Sequence, residues 1–276
     1  KNVFIFAPMI FSLHMFQSAY IWRSLLAFLL FGLVSGCMYV FNDILDRKKD
    51  RLHPVKKDRP IASGRLGARV AFVAALVLLV GMLLLIARFN REFFLITVFY
   101  VAMNVLYSLF LKSVVIIDIM VIALGFVLRV MIGGAVNAIV LYPWILISTF
   151  LLAIFLALIK RRQELLKIQE LHPEQVTRKT LQSYTLGLLD QMISIATATT
   201  LISYIMYVLS SDVQQKFHTD KLYYTVPFVI FGIFRYLFLS YSKGEGESPS
   251  DIIYSDLPFT LNLLLWVATF ILLVTR

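Results

Sequence analysis

The chain has 276 residues, of which 60% are hydrophobic and only 15% are charged, and its formal net charge is +10. This apolar content is far above that of a soluble domain and excludes an ordinary cytosolic enzyme. The excess of lysine and arginine is typical of the cytoplasmic loops of a membrane protein, so we expect no nucleic-acid partner.

Apolar runs of about 20 residues recur along the whole chain without alternation, which predicts membrane-spanning helices rather than a barrel. Cys37 is the only cysteine and lies inside one such run, so no intrachain disulfide is expected. The chain opens on "KNVF", and we expect a further N-terminal segment before Lys1. Residues 1–276 are predicted to form one transmembrane domain of nine helices: Val3–Gln17, Trp22–Phe41, Ala68–Arg88, Glu92–Leu111, Val115–Ala135, Tyr142–Ile159, Leu186–Leu209, Tyr223–Tyr241 and Pro258–Thr275.

Two connections carry dense basic charge, residues 47–65 after the second helix and residues 160–179 after the sixth. The connection "VNAIVL" between the fifth and sixth helices has no charge. The positive-inside rule therefore places both basic connections in the cytoplasm. The connections that hold Lys112 and residues 243–256 fall on the same side, which predicts one polar site facing the cytoplasm from the cell (inner or plasma) membrane.

The stretch "NDILDRKKD" concentrates acidic side chains where the second apolar run ends. Asp43, Asp46 and Asp50 stand at i, i+3 and i+7, on one face of a helix, and Asn42 lies one turn before Asp46. Like charges so placed repel each other, and a divalent cation removes the repulsion. Because every donor is a hard oxygen, the pattern favours Mg²⁺, or Mn²⁺, shared with a substrate diphosphate. The alternative is a solvated acidic turn paired with neighbouring lysines.

The next residues are basic and are candidates for binding phosphate. Lys56, Lys57 and Arg59 follow a His-Pro turn at residues 53–54 and precede Pro60, which prevents a continuing helix. Arginine and lysine bind phosphate oxygens well, although the same residues could serve only as a topology signal. His53 is interpreted as a turn residue, since no second histidine or cysteine supports a zinc site.

Several ionisable residues lie in or beside later apolar runs, where such residues are functional hypotheses by default. Asp118 and Arg129 are eleven residues apart and share a helix face, so they could also form a structural ion pair. Arg235 has no charged neighbour in "IFGIFRYLFL" and needs a carboxylate or a substrate phosphate from elsewhere. A further cluster ends the sixth helix, where it could cap the helix, pair internally as Lys160 with Glu164, or bind phosphate: Lys160, Arg161 and Glu164.

These motifs resemble those of the UbiA superfamily of intramembrane prenyltransferases, whose NDxxDxxxD motif is matched by "NDILDRKKD" and whose later helices are matched by "YSLFLK" with Asp118. The branch of decaprenyl-phosphate phosphoribosyltransferases is more closely similar. Its motifs are matched over nearly the whole chain by "KN" at the start, "DRLHPVKKDRPIASG", "LRVMIGG", "KRRQEL", "LQSYT", "FRYLF" and "ESPSDIIYSD".

The resemblance implies an all-α integral membrane bundle with a cytoplasm-facing polar cavity, and a Mg²⁺-dependent pentosyltransferase of cell-wall biosynthesis. The donor would be phosphoribosyl pyrophosphate (PRPP) and the acceptor a decaprenyl-like polyprenyl phosphate. Asn42, Asp43, Asp46 and Asp50 would hold the metal, and Asp43, Asp46 and Asp50 are also implied as the catalytic residues. The substrate-binding residues implied are Lys1, Asn2, Lys56, Lys57, Arg59, Tyr107, Lys112, Asp118, Arg129, Lys160, Arg161, Glu164, Tyr184 and Arg235.

Two alternatives stay open on the sequence. A prenyltransferase acting on an aromatic or quinone precursor would use a prenyl diphosphate and would carry a second aspartate-rich motif after the sixth helix. This chain has Lys160, Arg161 and Glu164 there instead. A transporter would also place charges in helices, but the polar residues gather on one side and no matched broken segments suggest inverted repeats. No sequence feature specifies an oligomeric state.

Overall fold

The structure, a computed structural model, describes residues 1–12, 14–52, 56–171, 181, 183–242 and 249–274. These residues form α-helices and short 3-10 turns, and they contain no β-strand. The α-helices are α1 (Ala7–Phe11), α2 (Ser18–Asp50), α3 (Ala68–Phe89), α4 (Arg91–Leu109), α5 (Ile117–Asn137), α6 (Pro143–Leu171), α7 (Leu186–Leu209), α8 (Ser211–Phe217), α9 (Val226–Ser242), α10 (Pro249–Ser255) and α11 (Leu257–Val274).

Eight helices of the described chain are long and apolar enough to cross a membrane. They are α2 to α7, α11, and α9 with the 3-10 turn before it, Lys221–Ser242. This confirms the predicted all-helical, multi-pass membrane class. The count of nine spans is not confirmed, because the first predicted helix, Val3–Gln17, is divided into a 3-10 turn at Asn2–Phe6, the short α1 and a second turn at His14–Phe16. Pro8 lies in the first turn of α1, and proline favours the start of a helix over its continuation.

Two helices extend far beyond their apolar runs. The second predicted helix ended at Phe41, but α2 continues to Asp50, and the sixth ended at Ile159, but α6 continues to Leu171. The added residues are rich in lysine, arginine, leucine, glutamine and glutamate, which are good helix formers. Because α2 continues to Asp50, the whole acidic motif lies on a regular helix, and its three aspartates lie on one face of that helix.

The described chain divides into two compact units, one from Lys1 to Leu141 and one that begins at Tyr142. The predicted single domain stays a prediction. In the first unit α2 packs against α3, α4 and α5 around a core that includes Phe31, Phe93 and Ile132. The segment Asn2–Phe6 lies directly on α5 because Gly133 has no side chain. A Cβ there would stand 2.0 Å from the carbonyl oxygen of Ile5.

The second unit is built on the pair α6 and α7, with α9 against α11. Phe155 and Leu189 are fully buried in it. A polar contact adds to the packing: Trp266 Nε1 donates to the Tyr204 hydroxyl at 3.0 Å, and this hydroxyl lies 2.7 Å from Thr225 Oγ1. Side-chain hydrogen bonds as well as apolar contacts therefore join three parts of this unit: α7, α11 and the 3-10 turn that precedes α9.

Candidate functional site

The acidic motif forms a face on the last turns of α2, as the spacing predicted. The Asp43 and Asp46 side chains are 28% and 21% exposed, and Asp50 is buried. Asn42 is half-buried beside them. Carboxylates crowded this way repel each other unless cations lie close, so the position of nearby basic side chains decides what the face can do.

Arg59 holds two of the carboxylates. Its Nη1 donates to Asp43 Oδ1 at 2.7 Å and to Asp50 Oδ2 at 3.0 Å. The 3-10 turn Lys56–Asp58 brings it there, with the Arg59 N–H donating to the Lys56 carbonyl at 3.1 Å. The basic half of the motif thus folds back onto the acidic half. The predicted His-Pro turn lies outside the described residues.

Lys112 binds one oxygen each of Asp46 and Asn42 on this face. Its Nζ donates to Asp46 Oδ1 at 2.8 Å and to Asn42 Oδ1 at 3.4 Å. Lys112 lies in the 3-10 turn Leu111–Ser113, which connects α4 to α5. The connection ends at Ile116, whose φ of 72° is rare for a β-branched residue, and such strain is concentrated at functional sites.

The donor set of the α2 face fits a magnesium ion. Among the described residues no three acidic, histidine or cysteine side chains are grouped closely enough to enclose a metal by themselves. Magnesium does not need such a cage, since it is commonly held by one or two carboxylates together with substrate phosphates. Asn42, Asp43 and Asp46 offer hard oxygens within one helical turn, which is the ligand type that this mode of binding requires.

Arg129 lies in the apolar interior of the first unit, only 4% exposed. Its guanidinium donates to Asn2 Oδ1 at 2.8 Å, to the Gly125 carbonyl at 2.5 Å and to the Tyr100 hydroxyl at 3.3 Å. It also lies 5.2 Å from the ring centres of both Phe31 and Tyr100. Within the described chain no carboxylate forms a salt bridge with Arg129. The ion pair with Asp118 that spacing allowed is therefore not the contact observed.

Asn2 connects this buried arginine to α2. Its amide nitrogen donates to Ser35 Oγ at 3.1 Å while its oxygen accepts from Arg129. The neighbouring Lys1 is exposed, with its ammonium 6.0 Å from the ring centre of Tyr39, one helical turn before Asp43. The "KN" pair therefore packs against the helix that carries the acidic face, through contacts that sequence spacing does not reveal.

The structure places the other predicted residues of the first unit at different depths. Asp118 is buried in the first turn of α5, where a helix N-terminus favours negative charge. Tyr107 and Lys56 are half-buried and Lys57 is exposed. These positions are compatible with the implied roles, which stay predictions.

In the second unit, the end of α6 is arranged around Arg161. This residue is 3% exposed, and its Nη1 donates to Glu164 Oε2 at 2.9 Å. The expected alternative was a pair between Lys160 and Glu164, but the observed partner is Arg161, and Lys160 is exposed. Tyr184 is buried, 3% exposed. Glu164 thus pairs with Arg161 instead of the neighbouring Lys160, and Lys160 is the residue that lies at the surface.

Arg235 has the partner that its isolated sequence position demanded. Its Nε and Nη2 donate to the two oxygens of Asp256 at 3.0 and 2.8 Å. Asp256 also accepts from the Phe259 N–H at 2.9 Å, which caps the start of α11. Because a protein carboxylate takes both nitrogens, the structure gives Arg235 a contact that stabilises α9 against α11.

One acidic residue was missed by the sequence reasoning. Asp190 in α7 accepts from Arg162 Nε at 2.7 Å and from the Tyr241 hydroxyl at 2.6 Å, and Arg162 stacks on the Tyr241 ring at 3.9 Å. A carboxylate inside the apolar run "LGLLDQM" was the available signal, since such residues seek a cationic partner.

Together, the fold and the α2 face define a multi-pass helical membrane protein with an acidic, metal-compatible site held by basic side chains. The sequence profile of the UbiA prenyltransferase family matches residues 3–249. The chain belongs to this family, as the resemblance predicted.

Similar proteins support a narrower relationship. The chain is 29% identical over 250 residues to the decaprenyl-phosphate phosphoribosyltransferase of Mycolicibacterium smegmatis, covering 88% of this chain and 77% of that protein. It is 32% identical to the protein of the same name from Corynebacterium glutamicum, over 88% of this chain and 73% of that one. It is also 30% identical to the uncharacterized protein y4nM of Sinorhizobium fredii, over 82% of this chain but only 44% of that protein's length. The predicted similarity to the phosphoribosyltransferase branch is confirmed.

Solved structures confirm the predicted UbiA-like helical bundle, while the nine spans and the cytoplasm-facing polar cavity stay predictions. The structure of a UbiA homolog from Archaeoglobus fulgidus bound to DMAPP and Mg²⁺ has a TM-score of 0.70 at 18% identity, covering 99% of this chain and 95% of that one. The same homolog bound to GPP and Mg²⁺ has a TM-score of 0.69, also at 18% identity, covering 100% of this chain and 97% of that one. The family match and the named relatives confirm the predicted class, a transferase of this membrane family.

Proposed function

We propose that the protein transfers 5-phosphoribose from PRPP to a polyprenyl phosphate in the membrane and releases diphosphate, with Mg²⁺ as the cofactor. One structural observation supports a diphosphate donor: the acidic face of α2 lies within hydrogen-bond reach of basic side chains from two different connections, Arg59 and Lys112. The similarity to two phosphoribosyltransferases over 88% of the chain supports PRPP as that donor.

The acidic face would hold the metal. Asn42, Asp43 and Asp46, with Asp50 behind them, are the residues that would bind Mg²⁺, and Mn²⁺ has the same ligand preference. Bound Mg²⁺ would neutralise the charge that develops on the diphosphate leaving group. The roles proposed for the other residues of the site follow from the charge of each side chain and from the groups that it can contact.

Arg59 and Lys112 would donate to the diphosphate oxygens and hold the ribose C1 toward the acceptor. The lipid phosphate is already an anion, so it needs orientation more than a general base. One of its oxygens forms the bond to C1 as the bond from C1 to the diphosphate oxygen breaks, and inversion at C1 is expected. Atoms and charge balance without a further reactant.

Arg129 is proposed as a positioning residue and not as a phosphate ligand. It is buried beneath Asn2, and its hydrogen bonds go to Asn2, Gly125 and Tyr100. Its effect would reach the site through Asn2 and the adjacent Lys1, which lies over Tyr39 on α2. The roles implied for Lys57, Lys160, Arg161 and Tyr184 stay predictions.

The density of lysine and arginine in the connections supports a cytoplasmic orientation of the acidic face in the cell membrane. The second candidate function is a prenyltransferase with a prenyl diphosphate donor, favoured by the ligands of the Archaeoglobus fulgidus homolog. The basic end of α6, in place of a second aspartate motif, favours PRPP.

The test uses purified protein in lipid nanodiscs with Mg²⁺, label from PRPP and polyprenyl phosphates of several lengths. The proposal predicts labelled, extractable lipid that depends on both the polyprenyl phosphate and Mg²⁺. Transfer from a prenyl diphosphate to an aromatic acceptor, with none from PRPP, would establish the second candidate instead.

A further inference from the structure

Every carboxylate on the α2 face already holds a protein cation. Arg59 joins Asp43 and Asp50, and Lys112 joins Asp46 to the amide oxygen of Asn42. The positive charge of Lys56 also acts on Asp43, so each carboxylate of the face is at least partly neutralised by a basic side chain. Without a metal, the protein thus neutralises most of the charge that a divalent cation would otherwise be needed to offset.

The two kinds of partner differ in how freely they can move. The carboxylates sit on short side chains fixed to a regular helix. The cations stand at the ends of long side chains in connections, and the Arg59 and Lys112 side chains are 39% and 23% exposed. A change of partner would therefore move the basic groups and leave the acidic face in place.

We propose that Arg59 and Lys112 act as exchangeable counter-charges of this face. In the metal-free protein they neutralise the aspartates. When the metal and the diphosphate bind together, both basic groups leave the carboxylates and donate to the diphosphate oxygens. The protein consequently binds the metal alone weakly and binds the metal with its diphosphate tightly. This inference rests on the proposed function and deepens it.

The exchange is energetically feasible because each side chain trades one ionic partner for another. The Arg59–Asp43 and Lys112–Asp46 pairs are partly exposed, so their release has a small cost. Asp50 is buried, so the bound metal must offset its charge when Arg59 leaves it. The new bonds to a diphosphate are charge-assisted and at least as strong as those given up. Thermodynamic linkage makes the effect reciprocal: the diphosphate raises the affinity for the metal by the same factor as the metal raises the affinity for the diphosphate.

The first arm of the test measures Mn²⁺ binding to the full chain without donor, from the electron paramagnetic resonance signal of free Mn²⁺. Arg59→Gln and Lys112→Gln each remove a competing positive charge, so each variant is expected to bind Mn²⁺ about tenfold more tightly than wild type. Lys48→Gln is the matched control. Lys48 is exposed on the same helix, outside the described ion pairs, and its loss changes the net charge equally.

The second arm measures binding of radiolabelled inorganic pyrophosphate at saturating Mn²⁺ by equilibrium dialysis. Here Arg59→Gln and Lys112→Gln are expected to bind about tenfold more weakly, because a charge-assisted bond is lost. Opposite signs in the two arms are the signature of exchange. Structural damage would weaken both arms, and Arg59→Lys, which keeps the charge, should stay within about twofold of wild type in the first arm.

Mn²⁺ binding by both glutamine variants that is no tighter than in wild type and Lys48→Gln would overturn the exchange. Failure of the proposed function gives a different result: the wild-type chain would transfer no label from PRPP, while the opposite signs in the two binding arms would remain.

Discussion

Adding one methyl group at Gly133 tests how the N-terminal segment is held. In Gly133→Ala the new Cβ would stand 2.0 Å from the carbonyl oxygen of Ile5 and 3.0 Å from Pro8 Cδ. Ordinary contact begins near 3.4 Å, so the backbone of Asn2–Phe6 must move by about 1.4 Å. This shift is expected to break the hydrogen bond from Arg129 to Asn2, which is 2.8 Å long.

The cost follows from what the shift disrupts. Loss of one charge-assisted hydrogen bond to a buried group costs about 1–3 kcal/mol, and the overpacking costs a similar amount. We expect Gly133→Ala to lower the free energy of unfolding by about 2–6 kcal/mol. Thermal unfolding in detergent and the transfer assay measure the effect.

Gly36→Ala is the matched control, since it adds the same group to α2 with nothing within 4 Å of the new Cβ. It should be neutral, or stabilising by up to about 1 kcal/mol. If Gly133→Ala unfolds at the temperature of Gly36→Ala and keeps full transfer activity, Asn2–Phe6 does not lie against α5 as described.

Three further predictions follow from the contacts. Chelation with EDTA should abolish transfer and added Mg²⁺ should restore it, and activity that survives chelation would contradict a metal role for the α2 face. Asp46→Asn should lower kcat about 100-fold without changing the unfolding temperature, because one negative charge is lost from the proposed metal ligands. A wild-type kcat in this variant would contradict a role for Asp46 in metal binding. Arg235→Gln should lower the unfolding temperature, since Asp256, 6% exposed, loses two charge-assisted hydrogen bonds, and calorimetry showing no shift would contradict a structural role for this contact.

Features that depend on local periodicity were predictable from sequence. The three aspartates of α2 form one face because helical spacing alone determines which residues share a face. Hydropathy located the long spans because about 20 apolar residues suffice to cross a bilayer. The break at Pro8 shows the limit of hydropathy, since the N-terminal segment is apolar throughout but proline divides it.

Contacts between distant parts of the chain were not predictable. Arg129 bonds to Asn2, 127 residues away, and helical spacing pointed instead to Asp118. For Arg235, the rarity of an isolated charge in an apolar helix indicated that a partner exists, but only the fold identifies Asp256. The bridging of Asp43 and Asp50 by Arg59 likewise depends on how the connection after α2 folds back.

The identity of the donor is tested most directly by competition within one reaction. The nanodisc-bound protein is given polyprenyl phosphate and an aromatic acceptor together with Mg²⁺, PRPP and a prenyl diphosphate, and the lipid products are resolved by mass spectrometry. We expect polyprenyl phosphate that carries one phosphoribosyl group, and its loss in Asp43→Asn. A prenylated aromatic product without any phosphoribosylated lipid would contradict it.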